Sequence, residues 1–565
     1  MNTFTVLQSA TSSVQDKGNK VVDWLAHHHI LAAFLLLLVL EICVFGSVIG
    51  KVGVYLDEWV YFHELHFCGQ TWPDLLKCLL FDERLVIRPL YTPYLATIYY
   101  FFHERPLGYH LLNQAWELGG AFCLYLALTP VLKDKVLSFL TAAIFLIYPS
   151  HDLTHYSITA NSTTIAITLY TFSLWQLVRG IERKQIGLVW LSAFFFLISL
   201  LTYEICLPLI IVFPALAAVL LVKDPMPFKV LVLSLLYSIP SVMAVGLVVF
   251  YRAALRLLNL GWNYGTVINP IHFMQVIYEG IKVSISPYAF SFFWTLSNDT
   301  LKDKLSLLQV LALILISATL IVAVWISTET DFVLNRRSSS SLAIVIGTLI
   351  LISSYVIFGF TLDYLPVLNS GLNRINAASS IGAALIISGF FGWLSSFINV
   401  STTRMQSISF SCLLIPCMLL FVLADWQFAG PWIVSWRAQK QVMTIIECRA
   451  NQIHSGDTII LANLPRYTMW APVFDGHWDF QSELRIKLNR QDINGGVLSD
   501  RLVITPTALE DRFQTVVCAR YPLKQLYLFV PSPETWITIH SPQELIALAK
   551  RYGIVIRTAT DTKHY

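Results

Sequence analysis

The stretch HILAAFLLLLVLEICVFGSVIGKVGVYLDEW, residues 29–59, decides the fold. Its apolar part is long enough for a bilayer core of about 30 Å, which takes about 20 residues of helix. It predicts a membrane span over 28–50. No small-residue cleavage site follows, so the run reads as a retained helix and not a cleaved signal peptide. A few residues further on, two acids stand side by side, Asp57 and Glu58. Outward from this stretch the pattern repeats. The chain has 565 residues, 56% of them hydrophobic and 13% charged, with a mean hydropathy of +0.63. An ordinary globular domain carries about 25% charged residues. A soluble enzyme and a disordered chain are excluded. So is a nucleic-acid binder, because 38 basic and 35 acidic residues leave only +3, far from a basic footprint.

Ten more spans are predicted near 108–130, 136–150, 157–178, 186–202, 205–222, 229–251, 305–327, 341–360, 376–398 and 406–426, making eleven in all. Basic residues in short loops set orientation. Lys17 and Lys20, Lys133 and Lys135, Arg179 with Arg183 and Lys184, Lys223 and Lys229, Arg336 and Arg337, and Arg404 all fall on one side of this scheme. The segment 1–27 is then cytoplasmic, residues 28–428 form the membrane domain, and 429–565 form an extracytoplasmic domain. Two outer loops are long, 51–107 and 252–304. Both are rich in aromatic residues, with apolar helical stretches suited to lying on the membrane surface.

The tail has soluble composition. Gln439–Ile453 reads as a helix, Thr458–Leu461 and Leu526–Val530 as buried strands, and Ile554–Arg557 as a last strand. Ser541–Lys550 reads as a helix opened by a capping box of Ser541 and Glu544. A small α/β domain is expected. Of nine cysteines, none forms a C-x-x-C. Cys68/Cys78 and Cys448/Cys518 are candidate bridges if their segments face an oxidising compartment. Trp470, Phe474, His477, Trp478 and Phe480, with Asp475 and Asp479, either stack on sugar rings or pack the tail onto the membrane domain, the second being the simpler reading.

Residues suited to chemistry gather at the outer face. Asp57 or Glu58 is a candidate general base, against the plainer reading of a solvated acid pair or a partner for Arg84 or Arg88. Arg88 precedes Pro89-Leu90. Its planar fork suits a lipid phosphate, or it snorkels to the interface. His110, Asn113 and Glu117 share one face of the second span and either line a site or join helices. His151, Asp152 and His155 follow the third span, and the H-x-x-x-H lacks an evident third metal ligand. Tyr203-Glu204 and Asn373-Arg374 complete the outer set. The inner loops carry mostly topological Lys and Arg, so the asymmetry points to a site at the outer leaflet.

The order of these motifs resembles the GT-C superfamily of membrane glycosyltransferases, which includes protein O-mannosyltransferases and the aminoarabinose transferase of lipid A. The resemblance runs over residues 28–400. It rests on Asp57-Glu58, Arg88-Pro89-Leu90, Pro106 to Asn113, Pro149-Ser150-His151, Tyr203-Glu204 with Pro208, and Asn373-Arg374 followed by Ala377 to Gly382. It implies a sugar moved from a polyprenyl-phosphate donor to an extracytoplasmic glycan, lipid or protein, with inversion. Asp57 would be the base and Glu58 its helper. Arg88, His151 and Arg374 would contact donor phosphate or sugar, with His110, Asp152, His155, Tyr203 and Glu204 in support. No cofactor is implied, and a metal-free site is favoured over the divalent metal used by oligosaccharyltransferase relatives. The resemblance also implies a bacterial inner membrane. The competing reading is a transporter or flippase for a lipid-linked or anionic substrate, whose charges would line a path across the bilayer.

Overall fold

The structure is a computed structural model. It describes residues 28–222, 226–261, 268–330, 336–361, 364–369, 372–398, 403–513 and 516–558, without the side chains of 324–330 and 403–407. Lys17, Lys20 and Lys223 lie outside the described residues.

The membrane part is helical throughout. Its helices are α1 (His29–Phe45), α2 (Asp57–His66), α3 (Trp72–Leu80), α4 (Tyr91–Phe102), α5 (Pro106–Leu132), α6 (Lys135–Leu146), α7 (Asp152–Tyr156), α8 (Asn161–Glu182), α9 (Ile186–Thr202), α10 (Val212–Leu221), α11 (Pro227–Leu257), α12 (Pro270–Ile285), α13 (Pro287–Lys302), α14 (Leu307–Thr330), α15 (Arg336–Val356), α16 (Ser379–Ser395) and α17 (Thr403–Cys448). The expected spans overlap these helices, although the first half of 205–222 is 3-10 helix, Glu204–Ile211, before α10. Among the described residues five helical segments are long and apolar enough to cross a bilayer by length and composition: Pro106–Leu132, Glu204–Leu221, Pro227–Leu257, Arg336–Phe360 and Ile408–Cys448. Helices α1, α6, α9 and α16, and Leu307–Ala323 of α14, are shorter apolar helices. The chain is a multi-pass integral membrane protein.

The two long loops are helical too. The first holds α2, α3 and α4, and the second α12 and α13. Within the first, Cys68 and Cys78 are disulfide-bonded across the α2–α3 turn. Cys448 and Cys518 are both free and exposed. They sit at the end of α17 and on a strand of the second sheet, so this candidate bridge is not formed.

Arg336 is more than a topological charge. Its Nε donates to Asp134 Oδ2 at 3.0 Å, both side chains being buried. Asp134 also caps α6 by accepting from the Leu137 N–H at 2.9 Å. Helices α15 and α16 pack backbone to backbone. A Cβ on Gly382 would stand 2.6 Å from the Gly347 carbonyl oxygen and 2.6 Å from the Leu351 nitrogen. Small residues permit such approach in membrane helices. Gly382→Ala therefore forces the pair apart, at about 1–3 kcal/mol for overpacking. A lower melting temperature in detergent, against wild type, checks it.

Helix α17 has 46 residues, so the expected span at 406–426 and most of the expected helix at 439–453 are one continuous element, which ends at Cys448 before a 3-10 turn at Ala450–Gln452. It enters the C-terminal domain, where β4-β1-β8-β9 form one sheet and β10-β5-β6-β7 another. Strands β1 (Thr458–Leu461), β4 (Asn494–Val497) and β8 (Leu526–Pro531) run parallel, and β9 (Glu534–Ile539) is antiparallel to β8. In the second sheet β5 (Leu502–Ile504), β6 (Ala508–Phe513) and β7 (Val516–Pro522) form an antiparallel meander, and β10 (Arg557–Thr558) adds parallel to β5. A small hairpin, β2 (Tyr467–Thr468) and β3 (Ala471–Pro472), precedes α18 (His477–Leu488), and α19 (Pro542–Arg551) follows β9. Ser541 caps α19 through the Glu544 N–H at 3.2 Å. The last strand, Arg557–Thr558, overlaps the expected 554–557 at Arg557 alone, so that expectation is displaced by three residues.

The aromatic stretch of the tail packs and does not present faces. Trp470, Phe474 and Phe480 are buried. The Trp470 indole donates to the Phe428 carbonyl of α17 at 3.3 Å, and the two rings lie 5.1 Å apart.

Candidate functional site

The acid pair splits. Asp57 is the first residue of α2 and is exposed. Leu56, immediately before it, has φ 50° and ψ −125°. A leucine in that conformation costs about 1–3 kcal/mol, a strain that clusters at working sites. Glu58 turns inward and is fully buried. Its Oε2 accepts from the Tyr55 N–H at 2.7 Å. Its Oε1 accepts from the Ser157 hydroxyl at 2.5 Å and the Thr159 N–H at 3.1 Å. Burial pushes its carboxyl up to about 8, against the pull of these donors. Glu58 thus pins the start of α2 to the α7–α8 turn, a positioning role in place of direct contact with an acceptor.

Arg88 and Tyr203 come together from distant segments. Arg88 places its Cζ 4.3 Å above the Tyr203 ring. Arg374 is half-buried, and its charge is felt with those of Tyr203, Arg88, Tyr364 and Asp57. Its Nε is buried without a hydrogen-bond partner among the described residues. Arg88, Tyr203 and Tyr364, with Glu204, Phe358 and Thr361, line a pocket of about 60 Å³. This opens beside a groove of about 740 Å³, and Glu204, Ile357 and Thr361 border both. The groove is mostly apolar, walled by Leu207, Val248, Val249, Leu255 and Leu257, but Arg252 and Arg256 also line it. Arg252 Nη2 lies 2.9 Å from Glu204 Oε2. The arrangement is a small pocket walled by Arg88, Glu204 and two tyrosines at the mouth of an apolar trough.

The histidines and Asp152 stand behind this face. Asp152 Oδ2 accepts from the Trp432 indole at 2.8 Å, and Oδ1 accepts from the Asn373 amide. Asn373 Oδ1 in turn accepts from the Leu153 N–H at 3.3 Å. Asn376 Nδ2 donates to the Ser150 carbonyl at 2.9 Å. Helix α7 therefore clamps the turn Asn373–Asn376 that carries Arg374. Burial pushes the Asp152 carboxyl up to about 7. His151 is 5% exposed and shares a hydrogen bond with Thr154 Oγ1 at 2.9 Å. His155 is buried, its Nδ1 2.8 Å from Glu117 Oε2 and its ring stacked on Phe45. His110 is buried with Nε2 2.9 Å from the Gly53 carbonyl. These three hold helices and loops together.

Glu58 spends both oxygens on protein donors, and no group of three His, Cys, Asp or Glu among the described residues is arranged to hold a metal. Sequence reasoning missed Tyr364, Arg252 and Arg256. The two arginines had a signal, an i, i+4 spacing at the end of an apolar helix. Tyr364 had none.

No protein-family model matches the chain, and no curated protein matches it. Solved structures do. The Archaeoglobus fulgidus oligosaccharyltransferase tethered with an acceptor peptide containing the NVT sequon matches at 12% identity and TM-score 0.42, over 85% of this chain and 66% of that one. ArnT from Cupriavidus metallidurans bound to undecaprenyl phosphate matches at 11% identity and TM-score 0.32, over 83% of this chain and 86% of that one. The chain thus spans just under two thirds of the oligosaccharyltransferase's length.

Proposed function

We propose that the protein is an inverting membrane glycosyltransferase of the GT-C kind. It moves a sugar from a polyprenyl-phosphate donor to a hydroxyl of an extracytoplasmic acceptor. The observation that carries this reading is the Arg88-lined pocket at the mouth of an apolar groove.

The chemistry follows from those groups. Asp57 takes the proton of the acceptor hydroxyl as that oxygen attacks the anomeric carbon. The new C–O bond forms on one face of the sugar while the bond to the lipid phosphate breaks on the other, which inverts the centre. The phosphate leaves with its electron pair, and Arg88 and Arg374 stabilise the charge. Tyr203 holds the Arg88 plane in place by stacking. The groove takes the polyprenyl chain, held there by van der Waals packing, since the chain leaves hydrocarbon and not water. In this reading the N-terminus is cytoplasmic, the first loop and the C-terminal domain lie outside, and the membrane is a bacterial inner membrane. The Cys68–Cys78 bridge fits an oxidising compartment.

The test is transfer by the purified chain in nanodiscs, with radiolabelled polyprenyl-phosphate sugars and envelope acceptors. Label moved to acceptor supports the reading. No transfer and no donor binding across the panel sinks it and favours the transporter. Arg374→Ala is expected to lose about 10²–10³-fold in kcat, the usual size for a lost transition-state donor. Single-turnover rates with saturating donor read this directly.

A further inference from the structure

At the other end of α2 lies a second large space, a cleft of about 880 Å³ between the first loop and the C-terminal domain. His66, Gln70, Tyr99, His103, Glu104 and Asn489 are among its walls. Tyr99 Oη donates to Glu104 Oε1 at 2.5 Å, and His66 Nδ1 lies 2.7 Å from the same oxygen. His66 Nε2 faces Asn489 Oδ1 of the C-terminal domain at 3.3 Å. Tyr100 and Phe101 also line the cleft and are 42% and 68% exposed. His103, which ends α4, has φ 47° and ψ −132°, a conformation that costs about 1–3 kcal/mol in a residue with a side chain. The disulfide between Cys68 and Cys78 ties down the turn bearing Gly69 and Gln70.

We infer that this cleft is an acceptor-side carbohydrate subsite. The inference rests on the transfer reaction proposed above. A sugar ring offers apolar C–H faces and hydroxyls that both donate and accept. The cleft matches both: exposed aromatic rings for the faces, and a carboxylate, imidazoles and amides for the hydroxyls. The Glu104 carboxylate repels a phosphate. Asp57 and His66 are nine residues apart on one helix, about 14 Å at 1.5 Å per residue. An acceptor that fills the cleft and reaches Asp57 therefore spans more than one ring. The acceptor class is an oligosaccharide whose reacting end lies at Asp57.

Binding by the full chain in nanodiscs tests this, with chitotetraose, maltotetraose and mannotetraose as probes and a Ser/Thr-rich decapeptide as the contrast. At least one tetrasaccharide is expected to bind. Gln70→Trp, which fills the cleft from its lip, and Glu104→Gln are each expected to weaken that binding at least tenfold while polyprenyl-phosphate binding stays unchanged. The inference is overturned if no tetrasaccharide binds wild type, if neither variant changes the affinity, or if only the peptide binds. Because the two failures separate, glycan binding that depends on the cleft, without transfer from any donor, keeps this subsite and removes the proposed reaction. Transfer to a non-glycan acceptor, with no glycan bound, does the reverse.

Discussion

Asp57→Asn leaves a folded protein that binds lipid donor and transfers about 10²–10⁴-fold more slowly than wild type, the range lost with a general base. The reason is local. Asp57 is exposed at the head of α2 and forms no hydrogen bond that holds the fold among the described residues. The substitution is nearly isosteric, so Leu56 keeps its strained backbone. Only the ability to take a proton is removed. The measurement is a pair, donor affinity and single-turnover rate. Unchanged affinity with a collapsed rate supports the base assignment. An unchanged rate removes Asp57 from that role while leaving the enzyme in place.

Its neighbour has the opposite expectation. Glu58→Ala strips the acceptor from three buried donors, the Tyr55 and Thr159 N–H groups and the Ser157 hydroxyl. Each buried donor left unpaired costs about 1–3 kcal/mol. The variant is expected to melt far below wild type or to fail to accumulate, and whatever folds should lose its site because α2 is no longer pinned. The acidity of Glu58 adds a pH signature. The folded chain holds this proton up to about pH 8, while an unfolded chain releases it near pH 4.3. Its contribution to stability is therefore fully present below the unfolded value and is lost as pH rises toward 8. Melting curves from pH 5 to 8 should fall more steeply for wild type than for Glu58→Gln. Parallel slopes would mean that Glu58 is ionised in the folded protein.

This contrast marks where the sequence was legible. Apolar runs of membrane length are local, so each expected span overlaps a helix. The acid pair was visible, but its division was not. One donor to Glu58, the Tyr55 N–H, is local, but the other two come from the 157–159 segment about a hundred positions away. The same holds for His151 and Asp152, which looked like outer-face ligands. They are buried because α17 and the 373–376 turn close over them, with Trp432 and Asn373 taking up the carboxylate. In the tail, β1 and β8 were readable as buried apolar runs. Strands β6 and β7 were not, since they mix in charged residues: Arg520 pairs with Glu510 across the sheet, and Arg512 pairs with it along the strand.

Helix α17 carries a mechanical consequence. A 46-residue helix is about 69 Å long at 1.5 Å per residue. Along it, Trp426 bonds the Val44 carbonyl, Trp432 bonds Asp152, and Gln439 bonds the Val473 carbonyl of the C-terminal domain. It behaves as a drive shaft keyed at both ends. One residue inserted between Trp432 and Gln439 would turn everything beyond it by about 100°, since a turn takes 3.6 residues. The domain would then present another flank to the membrane. Angular phase, and not merely tether length, is what couples the two halves.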